Sequence, residues 1–238
     1  MSGLGFWLLG LAMGLRHALD PDHLVAVSVM VAETGSFRPA ARVGALWGIG
    51  HTLTLLILGV PLLLLRMQLP QKVQAGLEGL VGIALIALGG ATLWRLWRRR
   101  IHLHWHEHDG KRHLHFHAHG ATPHDLPTAH HHEHPQRSTG WRPLLIGMVH
   151  GLAGSGAAAV MVMTTAPSLL AGIVYLAVFG IGSIVGMTAT AFALSLPVWL
   201  AQQRFERVYW TLLATTGVVS VAFGFYLLWE LGYLLMTA

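Results

Sequence analysis

Two long stretches of the sequence, Leu53–Leu65 and Val208–Leu228, contain no charged residue. Charged residues make up only 11% of the 238-residue chain, whereas soluble globular domains carry roughly 25%. A membrane-spanning helix needs ~20 consecutive apolar residues, so a chain of this length has room for about six spans and their loops. The pattern excludes an ordinary soluble domain and predicts a polytopic membrane protein.

Hydropathy and turn signals divide the chain into six apolar segments and one hydrophilic stretch. The apolar segments are 4–32, 43–65, 73–96, 141–165, 169–200 and 208–236, and the hydrophilic stretch is 97–139. The strands of a transmembrane β-barrel would alternate apolar and polar residues over ~10 positions. These segments are continuously apolar instead, so the predicted fold class is all-α, with about six transmembrane helices.

The two halves of the chain share motifs in the same order. Gly14–Leu19 aligns with Gly147–Leu152, Gly48–Gly50 aligns with Gly180–Gly182, and Gly82, Gly89 and Trp94 align with Gly217, Gly224 and Trp229. Three spans separate the copies, so the second copy inserts with the opposite orientation, as in many secondary transporters. This predicts two inverted three-helix repeats, 1–97 and 141–238, joined by a loop over 98–140.

The basic residues predict the orientation. Outside the first segment, twelve lie in the loops after segments 1, 3 and 5, and only Arg66 and Lys72 lie on the other side. Because cytoplasmic loops carry the excess of Lys and Arg, the 98–140 loop is expected in the cytoplasm and both termini outside. The opening apolar run lacks a basic flank and a cleavage site, so no cleaved signal peptide is expected. The predicted location is the cytoplasmic (inner) membrane.

Histidine is distributed in an informative way. The chain has 17 histidines and no cysteine, which excludes thiolate zinc sites and iron–sulfur clusters. Thirteen histidines fall between His102 and His134, and the other four lie inside apolar segments. Ionisable groups at membrane depth are costly and usually mark a substrate or ion path. These four are His17, His23, His51 and His150.

The first apolar segment contains two imidazoles and two carboxylates within eight residues. On an unbroken helix, His17 and His23 would point about 240° apart and could not share an ion. Pro21 has no N–H, so we expect the helix to open there and the carbonyl of His17 to line a polar cavity. An opened turn can bring His17, Asp22 and His23 to one point.

Imidazole and carboxylate ligands without thiolate suit borderline divalent metals such as Ni²⁺, Co²⁺ and Zn²⁺. Asp20 lies between the two histidines and joins the candidate ligand set. The alternative is a structural network in which Arg16 neutralises Asp20 and Asp22, but such a network does not call for the two histidines.

His51 and His150 are the other intramembrane candidates. A single buried histidine is more often a satisfied core residue than a ligand. His150 occupies the repeat position of His17, however, and His51 follows the repeated Gly48–Gly50 motif. Both are therefore predicted to belong to the metal path.

The 98–140 loop alternates histidine with other residues and lacks a helical apolar stripe. Such a tract is typical of a largely disordered, metal-binding segment. The alternative is an acid-sensing or simply solvated loop. The predicted accessory metal ligands are His102, His104, His106, His108, His113, His115, His117, His119, His124, His130, His131, His132 and His134.

The run from Arg16 to His23, with its His-x4-Asp-His pattern, resembles the signature of the nickel/cobalt transporter (NiCoT) family. Gly50-His51-Thr52 is similar to that family's second motif, Gly-His-Ser/Thr. The resemblance implies a permease of the cytoplasmic membrane carrying Ni²⁺ and/or Co²⁺, with His17, Asp22 and His23 essential for uptake. It also implies possible cytosolic partners: nickel chaperones or the maturation factors of urease or hydrogenase.

The later motifs of the family are incomplete. Its Asp-Thr-Ala-Thr-Glu run is missing from the fourth segment, and only Gly186-Met187 remains of the fourth motif, with Ala191 where an acid would be. The chain therefore looks more like the short six-span, urease-accessory-type relatives. Its His-rich loop also resembles that of nickel/cobalt efflux proteins.

The predicted function is a secondary transporter of Ni²⁺ or Co²⁺, working in uptake, with efflux as the alternative. A membrane di-iron enzyme would place histidine boxes at fixed helix ends, and a sensor or storage module would not need the broken first segment. No enzyme activity, resident cofactor or nucleic-acid partner is predicted, and the expected partners are the metal ion and membrane lipid.

Overall fold

The computed structural model describes residues 3–98, 102–108, 111–117, 140–166 and 168–237. This part of the chain contains seven helices and two strands. The helices are α1 (Gly3–His17), α2 (Pro21–Ala32), α3 (Phe37–Leu65), α4 (Gln71–Arg98), α5 (Arg142–Thr165), α6 (Leu169–Arg204) and α7 (Glu206–Thr237). The strands are β1 (His102–His108) and β2 (Lys111–His117).

The prediction of a helical membrane protein is confirmed. The helices α3, α4, α6 and α7 are long enough and apolar enough to cross a membrane, and α2 is a shorter apolar helix. Each apolar segment after the first becomes one helix, with bounds within a few residues of the predicted ones apart from the start of α3. The first segment is divided into α1 and α2, as its polar interruption predicts.

The break between α1 and α2 is a tight turn. The N–H of Leu19 donates to the carbonyl of Arg16 at 2.9 Å, and the N–H of Asp20 donates to the carbonyl of His17 at 3.1 Å. Asp20 is extended, and α2 begins at Pro21, where the missing N–H costs nothing. The carbonyl of His17, which Pro21 cannot pair with, therefore has a hydrogen-bond partner within the turn.

The bundle is built from closely packed pairs of helices. Helix α3 packs against α5 and α6, α4 packs against α7, α1 packs against α6, and α2 lies against α6 and α7. The contacts are close because glycines allow the backbones to meet, as in many membrane helix pairs. Gly14 of α1 lies against the carbonyl of Phe179, and Gly147 of α5 lies against the carbonyl of Trp47.

Polar contacts tie three helix ends together at one end of the bundle. Glu33, which follows α2, forms an ion pair with Arg95 of α4 and accepts a hydrogen bond from the hydroxyl of Thr92 at 2.8 Å. The hydroxyl of Tyr209 in α7 donates to the carbonyl of Ala32 at 3.4 Å. We call this region the Arg95 end, and it holds the far end of α2 in place.

Part of the His-rich loop forms two strands, where the sequence predicted a largely disordered segment. Strands β1 and β2 form an antiparallel hairpin in which His102 pairs with His117, His104 with His115 and His106 with His113. His108 pairs with Lys111. The predicted accessory ligands His119, His124, His130, His131, His132 and His134 lie outside the described residues.

Candidate metal centre

Three histidines meet where the first segment breaks. One ring nitrogen from each of His17, His23 and His51 lies within 4.8 Å of the other two. The Nε2 atoms of His17 and His51 are 3.1 Å apart, and the ring centroids of His17 and His23 are 4.5 Å apart. Imidazole nitrogens bind divalent ions such as zinc at ~2.0–2.1 Å, so small side-chain movements would place all three on one ion. We call this group the three-histidine cluster.

The fold explains how distant residues reach this point. His17 is the last residue of α1 and His23 lies in the first turn of α2, so the turn between the helices brings their rings together. His51 comes from the middle of α3 and is completely buried, while His23 is 2% exposed. The broken first segment therefore brings His17 and His23 together, and α3 adds the third imidazole.

The two carboxylates contact the nitrogens of two of these rings. Asp20 Oδ2 lies 2.7 Å from Nδ1 of His17, which is a hydrogen-bond distance. Asp22 Oδ1 lies 2.9 Å from Nδ1 of His23, but without the angles of a hydrogen bond. A carboxylate on one nitrogen of a histidine orients the ring and strengthens the other nitrogen as a metal ligand.

His150 of α5 adjoins the three-histidine cluster. Its ring centroid lies 5.6 Å from that of His23, and its side chain is 1% exposed. Its Nδ1 lies 3.0 Å from the carbonyl of Ile146, which can only accept, so Nδ1 carries the proton. The unprotonated Nε2 is buried and has no hydrogen-bond partner in the described part of the chain.

Two aromatic residues at this site were missed from the sequence. Trp47 lies one helical turn before His51, and its ring centroid is 5.1 Å from that of His23 and 5.6 Å from that of His150. The ring of Phe179 on α6 lies 5.4 Å from that of His17. The available signal was position, because Trp47 and Phe179 directly precede the repeated glycines Gly48 and Gly180.

Comparison with known proteins decides the family. The chain is 33% identical to the urease accessory protein UreH of Bacillus sp. (strain TB-90) over 233 residues, covering 96% of this chain and 92% of that protein. The chain belongs to the UreH family. The resemblance to short, urease-accessory-type members of the nickel/cobalt transporters is thereby confirmed.

Other relatives of this UreH-family chain are more distant. A Methanocaldococcus jannaschii protein named as a nickel/cobalt efflux system is 26% identical, over 76% of this chain and 72% of its own length. The chloroplast protein FOR GROWTH AND FERTILITY 1 of Arabidopsis thaliana is 28% identical, over 90% of this chain and 56% of its own length. No family model and no solved structure matches the chain. The UreH relative is named as an accessory protein and the archaeal relative as a transport system, in agreement with the prediction that the chain is not an enzyme.

Proposed function

We propose that the chain is a secondary transporter of Ni²⁺ or Co²⁺ and that the three-histidine cluster binds the ion during transport. The observation that carries the proposal is the convergence of three imidazoles within 4.8 Å of one another among apolar helices, with those of His23 and His51 buried and that of His17 half-buried. Imidazole suits nickel and cobalt, and polar groups at membrane depth usually serve an ion path. The names of the bacterial and archaeal relatives support the same metals.

The ligands in this proposal are the imidazoles, and the carboxylates act through them. Neutral imidazoles bring no charge to a divalent ion, which would be costly in a low-dielectric interior without nearby anions. Asp20 and Asp22 lie beside two of these rings and supply two negative charges. This division of roles differs from the sequence interpretation, in which Asp20 and Asp22 belong to the ligand set. His150 offers a further nitrogen beside His23.

Removing the charge of Asp20 tests whether this carboxylate supports His17 as a metal ligand. The substitution Asp20→Asn keeps the size of the side chain but removes the negative charge and the preferred acceptor for Nδ1 of His17. We expect metal affinity to fall by about 10- to 100-fold, the range for outer partners of metal-bound histidines. Isothermal titration of the purified protein with Co²⁺ measures the change. Unchanged affinity would contradict the role given to Asp20.

We further propose that the chain consists of two inverted repeats. Gly14 lies against the carbonyl of Phe179, and Gly147 lies against the carbonyl of Trp47. The sequence alignment of the repeats pairs Gly14 with Gly147 and Trp47 with Phe179, so exchanging the repeats exchanges these two contacts. Such agreement between alignment and packing supports the repeat.

Two other sets of contacts support the repeat in the same way. A side chain on Gly50 would meet the carbonyl of Leu144, and one on Gly182 would meet the carbonyl of Leu11. In the packing of α4 against α7, Gly82 lies against Gly224 and Gly89 lies against Gly217. Exchanging the repeats converts the first of these contacts into the second.

In the proposed topology, six spans leave the 98–140 loop in the cytoplasm and both termini outside. A cysteine introduced by Ala121→Cys should be protected from a membrane-impermeant thiol reagent in intact cells. The chain has no cysteine of its own, so any thiol labelling of the protein would come from the introduced cysteine. Permeabilised cells provide the positive control. Equal labelling in intact cells would overturn the orientation.

The His-rich loop is proposed to hold ions near the cytoplasmic mouth rather than to carry them across. Thirteen histidines spread between His102 and His134 offer several weak and exchangeable sites. Deleting residues 101–135 should leave substantial transport at high metal concentration and reduce it at low concentration. The rate measured against metal concentration checks this. Loss at every concentration, with folded protein present, would make the loop part of the path.

The direct test of the function is ⁶³Ni²⁺ flux in proteoliposomes of known orientation, with Co²⁺ and Zn²⁺ as competitors. Uptake is the proposed direction, and the ion would then be available to cytosolic nickel chaperones or to urease or hydrogenase maturation factors. Efflux is the second candidate because of the archaeal relative's name. Flux in neither direction under any ion gradient would overturn the transporter.

A further inference from the structure

Two aromatic rings lie at opposite ends of a continuous row that includes two cluster histidines. The rings follow in the order Phe179, His17, His23 and Trp47, with centroid distances of 5.4, 4.5 and 5.1 Å between successive members. His51 contacts both histidines of this row, at 4.9 and 5.1 Å. The ring of Phe179 therefore adjoins His17, and the ring of Trp47 adjoins His23.

The row runs along the direction of the helices. The hydroxyl of Thr52 on α3 donates to the carbonyl of Gly180 on α6 at 3.2 Å, so Phe179 lies close to the level of Thr52. Trp47 precedes Thr52 by five residues on α3, a distance of about 7.5 Å along the axis toward the start of α3. The two aromatic rings thus cover different ends of the cluster.

Both rings are inaccessible, whereas one flank of the cluster is not. Trp47 is 0% exposed and Phe179 is 7% exposed, while the side chain of Asp20 is 45% exposed. An ion leaving past Trp47 or Phe179 must displace that ring. Apolar constrictions of this kind close ion paths in other membrane proteins.

The indole of Trp47 is also held by packing alone. Its Nε1–H is buried and finds no hydrogen-bond acceptor within the described residues. A buried donor without a partner is an energetic cost that a well-anchored core tryptophan normally avoids. A displaced indole could regain an acceptor, so the cost of moving the ring is lowered.

We propose, on the basis of the proposed transport function, that Trp47 and Phe179 are paired gates on the two sides of the three-histidine cluster. Trp47 closes the path toward the start of α3, and Phe179 closes it toward the start of α6. The proposed repeat exchanges the two residues, as alternating access in an inverted-repeat transporter requires. The ligand that both gates control is the divalent ion of the cluster.

The test compares metal binding with leakage. Proteoliposomes loaded with ⁶³Ni²⁺ are diluted into metal-free buffer, and the passive release rate is measured for Trp47→Ala, Phe179→Ala and the control Trp94→Ala. Trp94 of α4 has an exposed indole whose ring lies against that of Trp97. We expect both gate variants to bind Co²⁺ as the unmodified protein does and to leak at least about tenfold faster, since a constriction has been removed. The control should not leak.

The outcomes separate this proposal from the one on which it rests. If the unmodified protein neither binds nor moves metal, the transport function fails. If it does both, and the folded gate variants leak no faster than Trp94→Ala, the gates are refuted. Because Trp47→Ala empties a large buried volume, Trp47→Leu is tested by the same criterion. Failure of all gate variants to fold would assign the rings to packing and also refute the proposal.

Discussion

Replacing His51 with alanine is expected to abolish metal transport while leaving the folded protein in the membrane. His51 is completely buried, and its Nε2 lies 3.1 Å from that of His17, so the substitution removes one of the three proposed ligands. Outer partners of metal-bound histidines already contribute 10- to 100-fold to affinity, so loss of a ligand should cost at least about 100-fold. Co²⁺ titration and ⁶³Ni²⁺ flux measure the two effects.

The matched control for this substitution is His124→Ala, which also removes one imidazole but from the 98–140 loop. It should retain affinity at the buried cluster and transport at high metal concentration. Thermal unfolding of His51→Ala in detergent shows whether the fold is kept. Near-normal transport by His51→Ala would show that the three-histidine cluster is not part of the ion path, independently of any role of the 98–140 loop.

Replacing Gly147 with valine should prevent stable folding. The added Cβ would overlap the carbonyl of Trp47, and backbone cannot move aside as a flexible side chain can. Overpacking typically costs 1–3 kcal/mol, and a clash with backbone should reach about 3 kcal/mol or more. The expected result is a large fall in the amount of folded protein and in its unfolding temperature.

Gly90→Val is the control for this effect. A Cβ on Gly90 would meet no heavy atom within 4 Å beyond its own stretch of helix, so the same change of residue adds a Cβ without a clash against another helix. It should unfold close to the unmodified protein in the same thermal measurement. If the two variants unfold alike, the close contact between α3 and α5 does not limit stability.

The positions of the helices could be predicted because the apolar segments are separated by polar or turn residues. The break in the first segment was predictable as well, since Pro21 follows a polar run and cannot continue a helix without losing a hydrogen bond. What the sequence could not supply was the partner for the His17 carbonyl. That depends on the turn geometry, in which the N–H of Asp20 bends back to it.

The proximity of the intramembrane histidines was predictable from the sequence, but their surroundings were not. Buried histidines in apolar segments stand out, whereas a tryptophan or phenylalanine in such a segment looks like ordinary core. Whether a carboxylate binds the ion or supports a ring depends on distances of the kind found between Asp20 and His17. Sequence spacing does not contain that information.

The β-hairpin was not predicted because the histidine-rich composition received more weight than the alternation of residues along the chain. His102–His106 and His113–His117 alternate histidine with apolar residues, which is the period of a strand. The abundance of histidine suggested a low-complexity segment instead. The backbone pairing of the two alternating runs is what distinguishes a hairpin from a disordered tract.

Because α2 is anchored at the Arg95 end, a rotation of the helix about that end would displace its opposite end. Its 12 residues span about 18 Å from Ala32 to Pro21, with the ion pair of Glu33 at one end and His23 near the other. A tilt of about 10° around the Arg95 end would move the opposite end by about 3 Å. That displacement is comparable with the 4.8 Å that encloses the three ring nitrogens, so a small rotation of α2 would be enough to bring the proposed ligands together or to separate them.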